Sequence, residues 1–540
     1  MTHSFKRGRA WALGLLSIVL LLAGCSSGQS STAGKTDEDY AKTHKIGSYP
    51  IQTDIVLTRW TDSTPFAQQL AVKSTLEEFP FVQELAKRTG VQEKYVLPAV
   101  NQANEQLNMM FASGEYTDII EWNFLQNYPG GPEKAIRDGN IMKLNDLFAK
   151  YAPNLTQYLK EHPEVDKQIK TDDGTYYGFP FIRGDDYLKT YGGLILRKDW
   201  LDELGFKVPT TIDEWHTVLT AFKEKKGATA PLTFVSTPRL FDDLQTGAFY
   251  GAFGVKRDFY MENGKVKFGP MEPGFKDFLT TMHQWYTEGL LDKDIATVDG
   301  KIRDANMTSG KSGASYGLAG GGIGKWLAAL KAQDPKADLV GAPYPVLHKG
   351  DTPMFGQKDF SAPAGGNFAI SPNSKNPELA VQLLDYGYSK EGALFFNFGQ
   401  EGVSYTIKNG YPTYTNLIKD NYAQNLTLYT RATGGPTIQD KRYYEQYAAL
   451  PQQKAAVQTW MKTDVDKYQL PPISPTAEES AEFSQIINEV NTLVDETTIK
   501  IVLGTEPIDS YDEFLQKLKV LNIDRAIEIQ QAALDRYNKR

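Results

Sequence analysis

The chain has 540 residues, 41% of them hydrophobic and 23% charged, a globular mixture long enough for two or more domains. Its formal net charge of −8 argues against a nucleic-acid or anionic-lipid surface, which would need a basic patch. A single cysteine leaves no disulfide and no cysteine-ligated metal cluster within one chain, so packing must hold the fold.

That cysteine closes a distinctive start. Lys6, Arg7 and Arg9 precede an apolar run from Trp11 to Leu22, which ends in Leu22-Ala23-Gly24-Cys25. A positive start, about a dozen apolar residues and a small-residue exit describe a bacterial export signal, well short of the ~20 residues of a spanning helix. The last four residues resemble the lipobox of bacterial lipoproteins, which implies acylation of Cys25 after removal of residues 1–24. Ser26 to Gly34 is rich in Ser and Gly and reads as a flexible tether, taken here over 25–48. Without Lys6, Arg7 and Arg9 the chain keeps 55 basic against 66 acidic residues, a net charge of −11 that favours solubility.

Ile51 to Thr58 is rich in β-branched residues and predicts a strand, ending at Arg59-Trp60-Thr61-Asp62. A helical pattern through Leu76, Phe79, Val82 and Leu85 stops at Gly90. A second strand over Val91 to Val100, a helix over Asn101 to Ser113 and a third strand through Ile119-Ile120 follow, ending at Glu121-Trp122-Asn123. Strand, helix, strand, helix, strand points to a parallel sheet with helices on its faces. Ligands gather outside the carboxyl ends of such strands, where Trp60 and Trp122 stand. Gly193 to Leu196 begins a second α/β set, with a capping box at Thr211-Ile212-Asp213-Glu214 and further strands at Leu232 to Val235 and Ser312 to Tyr316. The Pro- and Gly-dense stretch from Pro343 to Gly366 reads as a return crossing, Asn376-Pro377-Glu378 opens a helix, and the end of the chain is helical.

In this order the landmarks resemble those of a family-1 extracellular solute-binding protein, the lipoprotein receptor of an ABC importer. Phe111 to Ile120 resembles the family's helix–Gly–Thr-Asp-Ile strand entry, and Asp173 to Pro180 its approach to the hinge. Leu196 to Gly205 resembles the helix that opens the second lobe, and Ser309-Gly310-Lys311-Ser312 the "GK" before a sheet strand. Gly366 to Ser371 with Ser374 to Ala380 resembles the return to the first lobe, and Leu503 to Ile508 the tail of an oligosaccharide-binding subgroup common in Gram-positive bacteria.

The resemblance implies a two-lobed α/β, periplasmic-binding-protein-like fold, with hinge-linked lobes and a ligand cleft between them. Lobe 1 is expected over 49–182 and 361–455, and lobe 2 over 183–360 and 456–540. The implied function is capture of an oligosaccharide by lobe closure and delivery to ABC permease subunits, by a monomer anchored through Cys25 at the outer face of the cell membrane. No enzymatic activity, metal or cofactor, and no nucleic-acid partner, is expected. Trp122 matches a sugar-stacking residue of the maltodextrin receptor, with Leu125-Gln126 standing where that receptor has an Asp-Arg pair. Trp60 and Asp62 fall where the first strand's loop meets ligand, with Asn123 beside Trp122 and Asn367 on the return strand. Tyr316 and Trp326, flanking Gly320-Gly321-Gly322, fall at the second lobe's aromatic wall, and Arg183 and Asp185 at the hinge.

Sugar rings have apolar faces and polar rims, so aromatic side chains at strand ends and in Gly-rich loops are the candidates for their walls. A surface-tethered glycoside hydrolase would share such a groove but needs two carboxylates fixed across the scissile bond. An adhesin would show no ligand-linked closure. Ala305 to Ser312 imitates a phosphate loop, but a helical stretch precedes it and an extended one follows, the reverse of the genuine order. The anchoring reading is open to a direct check. Cys25→Ser is expected to move the protein from the detergent phase to the aqueous phase, or leave its signal uncleaved, in a detergent-partition assay.

Overall fold

The computed structural model describes residues 40–540. The export signal, Cys25 and the tether as far as residue 39 lie outside the described residues. Residues 40–43 form one helical turn inside the stretch expected to be tether, and 45–540 form one body.

The first sheet begins with β1 (Val56–Thr61), β2 (Gln92–Val96) and β3 (Ile119–Glu121), linked by α1 (Pro80–Thr89) and α2 (Ala103–Ser113). β1 runs parallel to both neighbours, with Trp60 opposite Val96 on one side and Ile120 on the other. The strand expected from Ile51 starts only at Val56 and runs on through Arg59. A charged residue looks like a strand end in the sequence. Here it is buried in the sheet, because Arg59 Nη2 lies 2.7 Å from the carboxylate of Glu93 on β2. Gly90 stops α1 in the left-handed conformation (φ 76°), and a Cβ there would sit 2.0 Å from the Ile51 carbonyl oxygen.

After α3 (Pro153–Glu161) the chain adds β4 (Phe179–Pro180) to the first sheet and leaves it through β5 (Ile182–Arg183). A second sheet then forms from β6 (Gly192–Arg197), β7 (Leu232–Thr233), β8 (Ala314–Leu318) and β9 (Leu339–Ala342), in the order β9-β6-β8-β7. All six residues of β6 are buried, as suits a central strand covered on both faces. Between β6 and β7, α4 (Ile212–Lys226) turns Trp215, Val218, Leu219 and Phe222 inward. Thr211 caps it by accepting from Glu214 N at 3.2 Å, while the Glu214 carboxylate accepts from Thr210 N at 2.8 Å instead of from Thr211. The expected capping box is therefore open by one residue.

β10 (Gly366–Ile370) returns to the first sheet between β3 and β4, antiparallel to both, and completes the order β2-β1-β3-β10-β4. α5 (Pro377–Asp385) follows it. The short strand β11 (Ile438–Gln439) then pairs parallel with β5. Ile182 N donates to Thr437 O at 3.0 Å and Arg183 N donates to Ser361 O at 2.7 Å, so three crossings of the chain meet at one place. α6 (Lys441–Tyr447) and α7 (Pro451–Trp460) come next. The lobe boundary expected at 455 falls inside α7, which packs on the second sheet: Trp460 Nε1 donates to Leu194 O at 3.2 Å, and Ala456 lies against Gly341. The change of lobe thus comes before 451.

The chain ends in α8 (Ser480–Val502), a ten-residue helix at Tyr511–Val520, and α9 (Ile523–Asn538). α9 reaches back to the turn before β4. Arg536 Nε and Arg540 Nη2 lie 2.7 and 2.6 Å from the Asp172 carboxylate, and Arg540 Nη1 donates to Lys170 O at 2.6 Å.

Asp385, the last residue of α5, is fully buried and caps α3 from the side. Its carboxylate accepts from Leu155 N at 2.8 Å, Asn154 N at 3.1 Å and Asn154 Nδ2 at 2.7 Å. Burial outweighs these bonds and pushes the group up to about 6 from an ordinary 3.8. Folding therefore favours its protonated form. Its contribution to stability is full below the unfolded value and is lost as pH rises through the folded one. That loss amounts to about 2 kcal/mol between about pH 4 and about pH 7. Urea denaturation at both pH values should show the wild type losing roughly that much more stability than Asp385→Asn on the rise to neutral pH.

Candidate functional site

Trp122 follows β3 and is held by the return strand, its N–H donating to Asn367 O at 2.8 Å. Its ring is half-buried and meets the edge of Trp60, with centroids 5.6 Å apart and planes at 79°. Trp60 itself is buried in the core. The two tryptophans therefore differ in role: Trp60 is the support, and Trp122 the surface that a ring could face.

Trp122 opens on a cavity of about 290 Å³, whose polar lining includes Asp62, Asn123, Asn127, Asn367, Thr433 and Arg431. Asp62, Asn123, Asn367 and Arg431 are placed by their neighbours. Asp62 accepts from Thr64 N at 2.9 Å and Thr64 Oγ1 at 2.8 Å. Asn123 accepts from Gln126 N at 3.1 Å at the start of a short helix. Asn367 Oδ1 accepts from Phe181 N at 3.2 Å and ties the cavity to the hinge crossing. Arg431 Nη2 lies 2.8 Å from Glu121, its Nε donates to Gly434 O at 2.6 Å, and its guanidinium lies over Phe66.

Beneath Glu121 the ion pairing continues. Arg59 Nη1 is 3.9 Å from Glu121, and its Nη2 pairs with Glu93. Burial works against the Arg59 charge, but Glu93, Tyr95 and Glu121 outweigh it and raise its pKa above the ordinary value. The cavity floor is thus an ion-paired network.

Thr433 also lines a second cavity of about 180 Å³, formed with Arg183, Tyr191, Gly320, Tyr443 and Tyr447. Arg183 gives Nε and Nη2 to Asp359 at 2.8 and 2.7 Å, and its guanidinium lies over Tyr191 at 5.0 Å. Tyr443 and Tyr447 lie on one face of α6, their rings near-parallel with centroids 6.3 Å apart. A Cβ on Gly320 would come within 2.6 Å of the Tyr447 hydroxyl, so the glycine lets that ring approach the second sheet. A third and larger cavity, about 780 Å³, shares Asn127 with the first and reaches Lys256, Asp359 and Phe483. The three spaces are joined through shared lining residues along the gap between the two sheets.

Of the residues chosen from sequence, Asp62, Trp122, Asn123 and Asn367 come together at the first cavity, and Arg183 lines the second. Four others do not face these spaces. Trp60 is core, as described. Tyr316 is buried with its ring against Gly192, since β8 turns that side chain into the second lobe. Trp326 is fully buried, with Nε1 donating to Asp304 at 2.9 Å. Asp185 caps a short helix through Tyr187 N at 2.9 Å and pairs with Lys441 at 3.1 Å, away from the three joined cavities. The reading from sequence passed over Tyr443, Tyr447, Thr433 and Arg431. The i, i+4 spacing of Tyr443 and Tyr447 after the helix-capping Asp440 was the available signal for an aromatic face.

The chain is similar to several known proteins. It is 24% identical to the fructooligosaccharide ABC transporter substrate-binding protein FusA of Streptococcus pneumoniae over 575 aligned residues, 99% of each chain. It is also 24% identical to lipoprotein LipO of Bacillus subtilis over 416 residues, 74% of each. Among solved structures, alginate-binding protein AlgQ2 without calcium ion superposes with a TM-score of 0.71 at 27% identity, covering 91% of this chain and all of that one. Residues 73–394 match the bacterial extracellular solute-binding protein family, and the chain belongs to it.

Proposed function

We propose that the protein is the membrane-anchored, extracellular binding component of an ABC importer, and that it captures an oligosaccharide in the cleft and releases it, unaltered, to permease subunits. The observation that carries this reading is the half-buried Trp122 ring, set among amides and hydroxyls at a gap between lobes that three chain crossings join. A flat apolar face with convergent polar groups is the surface a sugar ring requires. The relatives named for fructooligosaccharide and alginate binding support sugar as the cargo. The relative named as a lipoprotein supports the anchor at Cys25. Among the described residues no helix is long and apolar enough to cross a membrane.

Trp122 forms one wall, and Tyr447 with Tyr443 the other, in place of the Tyr316 wall expected from sequence. A ligand that touches both walls binds the closed arrangement better than the open one, and only that difference can drive closure. A shift from 1:99 to 99:1 needs about 5.5 kcal/mol of it. The closed form is then the signal a permease reads.

Two tryptophans that touch should answer differently to mutation. Trp122→Ala is expected to weaken binding of a fructooligosaccharide, or of whichever oligosaccharide a thermal-shift screen identifies, at least about tenfold by calorimetry. The melting temperature of its unliganded form should stay close to that of the wild type. Trp60→Ala should instead lower the stability of the unliganded protein by about 3–5 kcal/mol in denaturant titration, since it leaves a core cavity. Unaltered affinity in the Trp122 variant would move the pocket elsewhere.

A further inference from the structure

Both arginines that face the cleft are already engaged with carboxylates. Four acids and three bases line the three joined cavities, a net charge of −1. Arg431 is paired with Glu121, and behind it Arg59 is paired with Glu93, out of a ligand's reach. Arg183 gives two of its nitrogens to Asp359, and Nη1 donates to Gln439 Oε1 at 3.1 Å. The remaining cation is Lys256. Its ammonium lies 5.8 Å from the centroid of the buried Phe355 ring, with the Asp258 charge acting on it. The acid Asp62 accepts from Thr64.

A uronate chain carries a carboxylate on every sugar, and each one taken out of water needs a cation or several N–H donors of its own. No arginine in the cleft has its charge to spare. A neutral sugar asks for something else: hydroxyls that donate and accept at fixed spacing. A guanidinium paired with a carboxylate offers that, with spare N–H groups beside carboxylate oxygens in one charge-neutral unit. Two such units, Arg431–Glu121 and Arg183–Asp359, line the three joined spaces, and the amides of Asn123, Asn127 and Asn367 continue the pattern.

We propose that the cleft selects uncharged oligosaccharides and rejects uronate-containing ones, because its ion pairs are closed on themselves. The proposal rests on the oligosaccharide-binding reading and narrows it. It separates this chain's ligand class from that in the name of the alginate-binding neighbour, with which it shares a fold.

The test is calorimetry on the wild-type chain with neutral fructo-, malto- and galacto-oligosaccharides and with trigalacturonate, each at low and high salt. The tightest neutral ligand is expected to bind with an affinity that salt does not change, and trigalacturonate roughly a hundredfold more weakly. Glu121→Gln and, separately, Asp359→Asn release an arginine. Whichever variant keeps the wild-type melting profile should narrow the gap between trigalacturonate and the best neutral ligand by about tenfold. Trigalacturonate binding within tenfold of the best neutral ligand in the wild type would overturn the selectivity while leaving oligosaccharide capture intact. An unchanged gap in a folded variant would also overturn it. Failure of every sugar to bind would remove the oligosaccharide reading itself, and the selectivity with it.

Discussion

The buried guanidinium of Arg59 is the constraint on which the first lobe depends. An arginine at the centre of a sheet cannot be solvated, so the neighbouring strands must supply its counter-charges. Glu93 on β2 and Glu121 on β3 do so from either side, and the rings of Tyr95 and Phe368 flank the cation at 5.8 and 5.7 Å. Glu121 then has an oxygen left for Arg431, which belongs to a segment more than three hundred residues further on. One buried charge thereby fixes the spacing of three strands, the position of the returning chain and the floor of the first cavity. Removing one member would leave its partner charged and dry, a far larger loss than that of a surface pair.

Much of this architecture could be read from the sequence, for physical reasons that are specific to each element. Gly90 and Gly114 end their helices in the left-handed conformation that the pattern of apolar spacing and terminal glycine foretells. The strand at Gly193 to Leu196 announces itself by being apolar throughout, as a strand buried on both faces must be. What failed was anything that depends on partners distant in the chain. The first strand was placed too early because Arg59 looks like a boundary until Glu93 and Glu121 stand beside it. Tyr316 and Trp326 sit beside a glycine-rich stretch, which suggests a mouth, but the fold turns both rings inward. Trp326 even finds a carboxylate, Asp304, for its N–H. The tyrosine rings that line the second cavity come from α6, just past the third crossing, in a region the sequence offers only as one more tyrosine-rich helix.

That placement has a consequence for how the lobes and the ligand meet. The second cavity is built from the crossing strands themselves, through Arg183 and Gln439, and from the helix that follows them. A group bound there lies at the pivot as well as between the walls. Contacts near a pivot move little as the lobes turn, whereas those at Trp122 and Lys256 belong to surfaces that approach. In the mode of capture proposed above, the inner contacts hold the ligand in either arrangement, and the outer ones supply the difference between them.

The salt bridges from Arg536 and Arg540 to Asp172 add a second junction, made late in the chain and quite separate in sequence from the crossings. A body fastened to another at one small region can swing, twist and wag. Fastened at two, it keeps chiefly the rotation about the line that joins them. The terminal helix thus works like the second pin of a door. In the lobe closure proposed above, it would leave chiefly one direction of movement.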